Sequence, residues 1–389
     1  MSRKKQMSVF EQNVSKIEDT LDIRPVNLEK GDKVADSVRT GSLALDLILG
    51  GGWLPGRWTT LVGAEGSGKS TLMYKAMASS VHLNGSYAFL FDHEGTSDPW
   101  YLAKHDVVID NEKFRYYQPD TGQKTFQLIS RVLNEFEDRD RGPAQAVFFL
   151  DSLPAMLPKD RSEDDEKNPT ASSARMFSES IPLIKTKLAQ KRCTVVAANQ
   201  IRTNPRQLYG NPQYEPGGEA LRHYSDCRVK CVPCAVPKPG KGRILDEPCW
   251  DGSGIDRYQY SKLTTIKHKG FSPFRETIVR FCFESKGEPG YGMDSVWDTY
   301  QFLDSIGAVD RVRGGGMKIL LDDLDFKCDW LEFKALILNP NSEIKVRDKC
   351  SELLESGAAF EMYFKKLGGG PTDEEPEPEQ KDGSTTVEE

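Results

Sequence analysis

The chain has 389 residues and a formal net charge of −7, and 38% of its residues are hydrophobic. This length and composition allow a large buried core, divided over two or three domains. Because no apolar run reaches the roughly 20 residues that cross a bilayer and the N-terminus lacks a secretory signal, we expect a cytoplasmic protein. The eight cysteines are spaced irregularly, which argues against a disulfide framework.

The net negative charge comes from the C-terminal residues. Residues 371–389 hold eight acidic residues and one lysine, so they account for the whole net charge, and the first 370 residues are neutral. An evenly basic surface, the usual mark of a nucleic-acid binder, is therefore not predicted, and any nucleic-acid site must be local. We expect residues 368–389 to form a disordered acidic tail.

Strands and helices alternate in the first half of the chain. Residues 1–38 read as a helix and connector outside the core. Short apolar runs then predict strands over 59–62, 87–91, 146–150 and 194–198, with helices over 69–82, 122–137 and 172–190. Apolar runs without alternation are typical of strands buried on both faces of a parallel sheet, so we predict an α/β core over residues 39–285.

Two further regions follow this alternation. Between residues 227 and 283, strand-like runs separated by Pro and Gly predict an antiparallel extension of the sheet. Residues 286–367 predict a small α+β C-terminal domain.

The clearest chemical signal is GAEGSGKST, where a predicted strand turns into a helix. It fits G-x-x-x-x-G-K-[ST], whose backbone N–H groups close on a phosphate chain while Lys69 reaches the β and γ phosphates. Ser70 is placed to hold Mg²⁺. The sequence therefore predicts a nucleoside triphosphate site, and the loop residues assigned to it are Gly63, Ala64, Glu65, Gly66, Ser67, Gly68, Lys69, Ser70 and Thr71.

Carboxylates end two of the other predicted strands. Asp151 ends AVFFLD, the position from which a carboxylate supports Mg²⁺. Glu94 follows YAFLFDH and is our candidate base for orienting and deprotonating an attacking water. The alternative role for such a carboxylate is to cap the next helix. We expect His93 to be a structural neighbour.

A series of motifs occurs in the order seen in bacterial RecA recombinases. The chain resembles this family from about residue 40 to 285, and more weakly in the C-terminal domain. The resemblance implies a RecA-like P-loop ATPase core with a mostly parallel sheet, in a phage-encoded or divergent bacterial protein. The motifs are TGSLALD (40–46), the P-loop, AFLFDHEGTSDPWY (88–101), QPDTG (118–122), LDSLPAMLPK (150–159), ANQIR (198–202), YGNP (209–212), PGGEALRHYSD (216–226) and IKHKGFSPF (266–274).

The resemblance also implies roles around the nucleotide, which in this family is ATP. Asp98 and Tyr101 match positions that contact and stack on adenine. Glu94 matches the catalytic glutamate. Gln200 matches the side chain that senses the γ-phosphate at the root of a long loop.

Residues about 159–171 and 201–218 resemble the family's two DNA-binding loops. In the second loop, Arg202 and Arg206 supply local charge and Tyr209 can stack between bases. Backbone N–H groups of Gly217 and Gly218 can approach phosphates. Arg175 and Ser178 match further DNA-contacting positions. The alternative is that these arginines are solvated loop charges.

Lys267 and Lys269 match lysines that the family extends across a subunit interface to the neighbour's ATP. Positive charge supplied in trans to a transferring phosphoryl group can raise its rate by about 10³ to 10⁵. The resemblance therefore implies that hydrolysis requires assembly. A head-to-tail interface that does not close gives a helical filament.

The stretch from Cys227 to Trp250 is rich in cysteine. Cys231 and Cys234 form C-x-x-C, and with Cys227 and Cys249 four thiolates could bind structural Zn²⁺. A clean zinc site would show a second C-x-x-C, and this stretch has none. We therefore expect free cysteines.

The residues and the resemblance together imply an ATP-dependent recombinase that forms filaments on single-stranded DNA, with Mg²⁺ as its metal and residues 1–38 as an oligomerisation segment. Its expected partners are single-stranded DNA, homologous duplex DNA, further copies of itself, and single-strand-binding and loader proteins. A ring-forming RecA-fold helicase motor is the alternative function. A filament scaffold that binds ATP and barely hydrolyses it is a third.

Overall fold

The computed structural model describes Val14, Lys16 and Thr20 and then most of the chain from residue 36 onwards. Arg206, Tyr209, Cys249, most of the first predicted DNA loop, nearly all of the N-terminal segment and the acidic tail lie outside the described residues. The described ranges are 36–82, 85–109, 111–139, 142–159, 169–203, 213–234, 258–282, 292–312, 316–321, 325–339 and 346–367. In these ranges no helix has the length and apolar character that a membrane crossing needs.

A nine-stranded sheet organises the fold. Its strand order is β11-β10-β9-β8-β1-β5-β4-β2-β3. The parallel part is formed by β1 (Trp58–Gly63), β2 (Tyr87–Asp92), β3 (Phe114–Tyr117), β4 (Ala146–Asp151) and β5 (Thr194–Gln200). The remaining strands are β8 (Cys227–Cys234), β9 (Tyr258–His268), β10 (Glu276–Cys282) and β11 (Gly292–Met293).

Strand β8 joins the two parts of the sheet. It pairs parallel with β1 on one side and antiparallel with β9 on the other, and β10 and β11 continue the antiparallel part. The predicted mostly parallel sheet with an antiparallel extension is confirmed. Two short strands, β6 (Arg202–Thr203) and β7 (Gln213–Tyr214), pair separately after β5.

Helices cover the sheet and build the C-terminal part. In the first part of the chain they are α1 (Leu43–Leu49), α2 (Lys69–His82), α3 (Pro99–Lys104), α4 (Gly122–Asn134), α5 (Pro169–Gln190) and α6 (Gly218–Tyr224). The C-terminal helices are α7 (Ser295–Ser305), α8 (Trp330–Leu338), α9 (Val346–Ser356) and α10 (Ala358–Lys366). They accompany a small antiparallel sheet of β12 (Val309–Arg311), β13 (Met317–Ile319) and β14 (Phe326–Cys328).

Alternate residues of the central strands enter two separate cores. In β4, Val147 and Phe149 pack into the cluster that contains α2, whereas Phe148 and Leu150 pack into the cluster that contains α4 and α5. Every residue of β1 and β4 is buried. The prediction of strands buried on both faces is therefore confirmed, since successive side chains of a strand point to opposite faces.

A third apolar cluster forms around α7 to α10. It includes Trp297 and Phe333 and also Leu47 on α1. Buried Asp298 accepts a hydrogen bond from the Leu43 N–H at 2.8 Å and from the Ser42 hydroxyl. The C-terminal part therefore caps the first helix of the core and shares an apolar cluster with it.

Candidate nucleotide site and nucleic-acid interface

The loop from Gly63 to Lys69 lies where the sequence predicts, between β1 and α2. Gly66 and Gly68 have φ of +70° and +84°, a conformation that side chains rarely adopt. A Cβ at Gly68 would also lie 2.2 Å from the Phe281 ring on β10. The loop therefore packs closely against the antiparallel part of the sheet. Its backbone N–H groups lie at the N-terminus of α2, a position that favours phosphate binding.

Lys69 folds back across this loop. Its ammonium group donates hydrogen bonds to the carbonyls of Gly63 (3.1 Å) and Ala64 (2.7 Å) and to the Ser67 hydroxyl (3.2 Å). Burial lowers the pKa of Lys69, because the charged form loses hydration. Triphosphate oxygens would offer the ammonium group stronger partners than neutral carbonyls do.

A cavity of about 250 Å³ opens in front of the loop. Most of the predicted nucleotide residues line it, including Tyr101 and Asp151, whereas Gly63, Ala64 and Asp98 do not. Asp98 instead caps α3, where its carboxylate accepts the Tyr101 N–H at 2.8 Å. The full lining is Glu65, Gly66, Ser67, Gly68, Lys69, Ser70, Thr71, Glu94, Tyr101, Asp151, Ser152, Gln200, Gln259 and Phe281.

Three lining residues are absent from the sequence prediction. Ser152 follows β4, while Gln259 and Phe281 come from β9 and β10. The Gln259 amide donates to the Gly66 carbonyl, and the Ser261 hydroxyl donates to the Ser67 carbonyl at 3.0 Å. The antiparallel strands β9 and β10 therefore hold the loop in place through contacts that no local sequence motif predicts.

Ser70 and Asp151 come together at the base of the cavity. The Ser70 hydroxyl hydrogen-bonds the Asp151 carboxylate, and burial raises the pKa of Asp151 to about 6. Mg²⁺ in nucleotide sites takes one or two protein oxygens and completes its shell with phosphate oxygens and water. A hydroxyl and a buried carboxylate in contact fit this requirement, so Ser70 and Asp151 are the residues that would hold Mg²⁺.

Asp92 organises the turn that presents Glu94. Its carboxylate accepts backbone N–H groups of Glu94 (3.0 Å), Gly95 (2.8 Å) and Ser97 (3.0 Å). The helix-capping role considered for Glu94 belongs to Asp98, and Glu94 instead lines the cavity. His93 bonds Thr125 at 2.8 Å, and burial lowers the pKa of His93 to about 4, in keeping with a structural part.

Glu94 is held on one oxygen only. Its Oε1 accepts hydrogen bonds from the Ser152 hydroxyl (2.5 Å) and from the Gln200 side-chain amide (3.3 Å). Among the described residues no hydrogen bond reaches Oε2, so this oxygen is available to a water molecule. Gln200, the last residue of β5, thus contacts the candidate base directly.

The second predicted DNA loop begins one residue after Gln200, and its two ends are joined. Buried Asn199 donates its side-chain amide to the Pro216 carbonyl at 3.3 Å. Arg202 on β6 pairs with Tyr214 on β7 in the antiparallel stem. Tyr214 is 39% exposed, so it is an aromatic candidate that the sequence prediction missed in favour of Tyr209.

The roots of the two predicted DNA loops also meet. Gly217 and Gly218 begin α6 with φ of +93° and +73°. A Cβ at Gly217 would lie 3.1 Å from the Phe177 ring, and one at Gly218 would lie 2.9 Å from Ala174. Both neighbours are on α5, which carries exposed Arg175 and Ser178. The structure therefore brings Arg175, Ser178, Gly217 and Gly218 to one place.

Lys267 and Lys269 lie at the amino end of the parallel strands, opposite their own nucleotide cavity. Lys267 donates to the carbonyls of Arg222 (2.8 Å) and His223 (3.0 Å), at the end of α6. Lys269 pairs with buried Asp226 at 3.0 Å. Neither lysine lines the cavity of its own protomer.

The cysteines of β8 are spread along the strand. Cys231 and Cys234 are three positions apart, so their side chains point to opposite faces of the sheet. Cys227 and Cys231 are buried, and burial raises the pKa of each thiol to about 12. In the part of the chain that the structure describes, no three His, Cys, Asp or Glu residues are grouped to hold a metal ion. The four-thiolate site, which is the alternative to the expected free cysteines, includes Cys249 outside the described residues and stays untested.

The fold and the cavity first define a class. A mostly parallel sheet whose first strand runs into a glycine-rich loop and a helix N-terminus is the arrangement of P-loop nucleotide-binding proteins. The sequence profile described as RecA N-terminal domain matches residues 9–285. The chain belongs to the RecA family of recombinases.

Two bacterial proteins of known name support this membership. The chain is 30% identical over 279 residues to Protein RecA of Thermus aquaticus, covering 71% of this chain and 74% of that protein. It is 33% identical over 328 residues to Protein RecA of Parasynechococcus marenigrum (strain WH8102), covering 83% and 78%. A solved structure titled as the RadB recombinase aligns with a TM-score of 0.43 and 18% identity, over 63% of this chain and 96% of that chain. The resemblance stated from the motifs is confirmed.

Proposed function

We propose that this protein is a DNA-dependent ATPase that forms filaments on single-stranded DNA and catalyses homologous pairing and strand exchange. ATP occupies the cavity beside Lys69, with adenine against Tyr101 and the triphosphate on the loop N–H groups. Mg²⁺, when bound, neutralises part of the phosphate charge. Base pairing supplies sequence recognition, so the protein has only to present extended bases.

Hydrolysis is attack of water on the γ-phosphate. Glu94 accepts the proton of that water through Oε2, because Ser152 and Gln200 occupy Oε1. Lys69 exchanges its loop carbonyls for phosphate oxygens. In this role Glu94 acts as a general base, a contribution that is typically about 10² to 10⁴ in rate.

The observation that carries the proposal is the contact between Gln200 and Glu94. Gln200 ends β5 and immediately precedes the loop whose ends are joined by Asn199 and Pro216. A γ-phosphate beside Glu94 would compete for the Gln200 amide and shift the root of the loop. Nucleotide state and DNA affinity would then be coupled, as a recombinase requires.

DNA contacts come from the joined roots of the two loops. Arg175 and Arg202 supply charge at exposed positions, and Tyr214 offers a ring face to a base, a contact worth about 1 to 3 kcal/mol. Gly217 and Gly218 present backbone N–H groups to phosphate. Such contacts tolerate any sequence, which suits coating of single strands.

Lys267 and Lys269 act in the cavity of the neighbouring protomer. They are at the sheet edge opposite their own cavity, so a head-to-tail stack of protomers brings them toward the next one's triphosphate. ATP then lies between protomers and stabilises the filament.

The test is ATP hydrolysis with and without single-stranded DNA, followed by strand exchange between a circular single strand and a homologous duplex. We expect stimulation by DNA and exchange by the wild-type protein. Glu94→Gln should bind ATP and DNA and lose about 10² to 10⁴ in turnover. Unwinding of forked duplexes without exchange would instead identify a helicase motor, and DNA coating with negligible hydrolysis a scaffold.

A further inference from the structure

The turn after β9 has a second set of contacts, separate from those of its lysines. His268 lies between Lys267 and Lys269, and its Nδ1 accepts the N–H groups of Gly270 (3.1 Å) and Phe271 (2.9 Å). The rings of His268 and Phe271 meet edge to face at 5.6 Å. The imidazole therefore fixes the course of the turn immediately after Lys269.

An aromatic cluster joins this turn to the C-terminal helix. We call Phe271, Arg275, Phe360, Tyr363 and Phe364 the tip cluster. The rings of Phe271 and Phe360 are 6.0 Å apart. The guanidinium carbon of Arg275 lies 5.0 Å from the Phe271 ring, 4.7 Å from Phe364 and 5.9 Å from Tyr363.

Arg275 is buried, and among the described residues its Nη1 has no hydrogen-bond partner. Its charge lies against ring faces, whose quadrupole attracts a cation. Since Phe271 comes from the turn and Tyr363 and Phe364 from α10, Arg275 connects the two elements. The cluster thus attaches the turn to the C-terminal helix.

The turn also rests on the backbone that follows α1. A Cβ built on Gly50 would lie 2.1 Å from the Phe271 ring, so the ring packs directly on that backbone. The N-terminus of α1 is in turn capped by Asp298 of the C-terminal part. The turn is therefore fixed on one side by α1 and α10.

Lys267 and Lys269 contact other elements than Phe271 does. Lys267 reaches the end of α6 and Lys269 reaches Asp226, while Phe271, two residues further on, enters the tip cluster. One short turn therefore carries both the groups offered to the neighbour and the groups anchored to the C-terminal helix. A shift of the anchor would therefore act on the backbone that carries the two lysines.

We infer that the tip cluster positions Lys267 and Lys269 for the neighbouring protomer's ATP, so that α10 controls hydrolysis at a site that it does not touch. The inference rests on the proposed action of these lysines in trans. Phe271 and Arg275 are positioning residues here. Displacement of a catalytic group by about 1 Å can cost about 10²-fold in rate.

The first experiment measures DNA-stimulated ATP hydrolysis by Phe271→Ala and Phe360→Ala. We expect kcat to fall about 10- to 100-fold, with KM for ATP nearly unchanged, because each protomer's own cavity is intact. Since both variants break one contact, the double variant should be little worse than either alone. Met362→Ala, on the same helix and outside the tip cluster, is the matched control and should keep wild-type kcat.

The second experiment mixes subunits. Phe271→Ala protomers have a sound cavity and displaced lysines, whereas Glu94→Gln protomers have an inactive cavity and sound lysines. At equal amounts about a quarter of the interfaces combine a sound cavity with sound lysines, so hydrolysis should rise well above that of either variant alone. A loss caused by damage to the variant's own cavity would not be rescued.

A parallel mixture of Lys269→Ala with Glu94→Gln tests the action of the lysines in trans separately from the positioning role of the tip cluster. Recovery there and not with Phe271→Ala would overturn the positioning role of the tip cluster. If neither mixture recovers, the action in trans is itself wrong. Should Phe271→Ala fail to fold by circular dichroism, Arg275→Lys replaces it, because lysine keeps the charge and loses the planar stacking group. Wild-type kcat in the substituted protein would equally overturn the inference.

Discussion

Each end of the central sheet buries an aspartate, and the two aspartates differ in their surroundings. At the carboxyl end, Asp151 hydrogen-bonds Ser70, and burial raises its pKa to about 6. At the amino end, burial alone would raise the pKa of Asp226, but the Trp58 N–H and the ammonium groups of Lys269 and Lys185 lower it overall. The carboxyl end is thus suited to receive a cation with its phosphates. The amino end already holds two cations of its own.

The largest expected effect comes from removing the lysines of the amino end. In Lys267→Ala with Lys269→Ala, we expect DNA-stimulated kcat to fall by about 10³ to 10⁵, which is the worth of charge supplied in trans. ATP affinity of the unassembled protomer should stay unchanged, measured with a fluorescent nucleotide, because these lysines do not line its cavity. Lys262→Ala, on the same strand, is the control. An equal loss of ATP affinity would show that these lysines act on the ATP of their own protomer, against the proposed difference between the two ends of the sheet.

The next effect concerns Asp226 itself. Asp226→Asn leaves Lys185 and Lys269 without their shared carboxylate. Removing one partner of a buried ion pair typically costs about 3 to 5 kcal/mol, and we expect the lower figure because Lys269 is half exposed and reaches water. Urea unfolding at pH 7 measures the change in the free energy of unfolding. A change near zero would show that this end is not stabilised by its ion pairs.

The stability that Asp226 and its lysine partners contribute depends on pH in a predictable way. Because the pKa of Asp226 in the folded protein lies below its ordinary value of 3.8, its contribution to stability is present above that value. The contribution is lost as the pH falls through the folded pKa. We therefore expect Asp226→Asn to remove part of the acid-induced loss of stability below about pH 4, in unfolding experiments at a series of pH values.

A smaller effect sharpens the comparison at the carboxyl end. Gln200→Ala removes the amide that contacts Glu94, and we expect the ratio of DNA affinities with an ATP analogue and with ADP to fall about tenfold, within the usual range of coupling energies. Fluorescence anisotropy with a labelled single strand gives both affinities. Gln190→Ala, at the exposed end of α5, should leave the ratio unchanged. An unaltered ratio in Gln200→Ala would contradict the proposed link between cavity and loop.

The smallest effect lies on β8, which runs between the two ends. Burial raises the pKa of Cys227 and Cys231 to about 12, so both thiols stay protonated at neutral pH. We expect iodoacetamide at pH 8 to modify the half-buried Cys234 faster than either, as read by mass spectrometry. Rapid labelling of Cys231 would show that the loop above it opens. Zinc in the purified protein by elemental analysis would revive the four-thiolate hypothesis.

Local patterns account for what the sequence predicted well. The helix over 69–82 has the predicted limits, because the P-loop consensus marks its start and the apolar strand before it is continuous. The helix predicted over 122–137 ends at Asn134, and the one predicted from 172 begins at Pro169. Strand β3 was not predicted, since FRYY carries an arginine and lies at the exposed sheet edge.

Contacts between distant residues account for what the sequence did not predict. Gln259 and Phe281 enter the nucleotide cavity from strands about 190 to 210 residues beyond the P-loop. The ammonium group of Lys185 on α5 bonds Asp226 and the Tyr224 carbonyl, which lie about 40 residues further along the chain. A pattern in one segment cannot report which residue of another segment will meet it. The family resemblance supplied roles for single positions and gave no information on these pairs.

The buried amide of Asn199 has a consequence for how this family can diverge. It ties the start of the second loop to Pro216, so the anchor points are set by the scaffold and not by the intervening residues. Insertions and exchanges between such anchors add little closure entropy, about 0.6 kcal/mol for each doubling of length. The segment between the two anchors can therefore change in length and sequence at little entropic cost, without any change in the residues that line the nucleotide cavity.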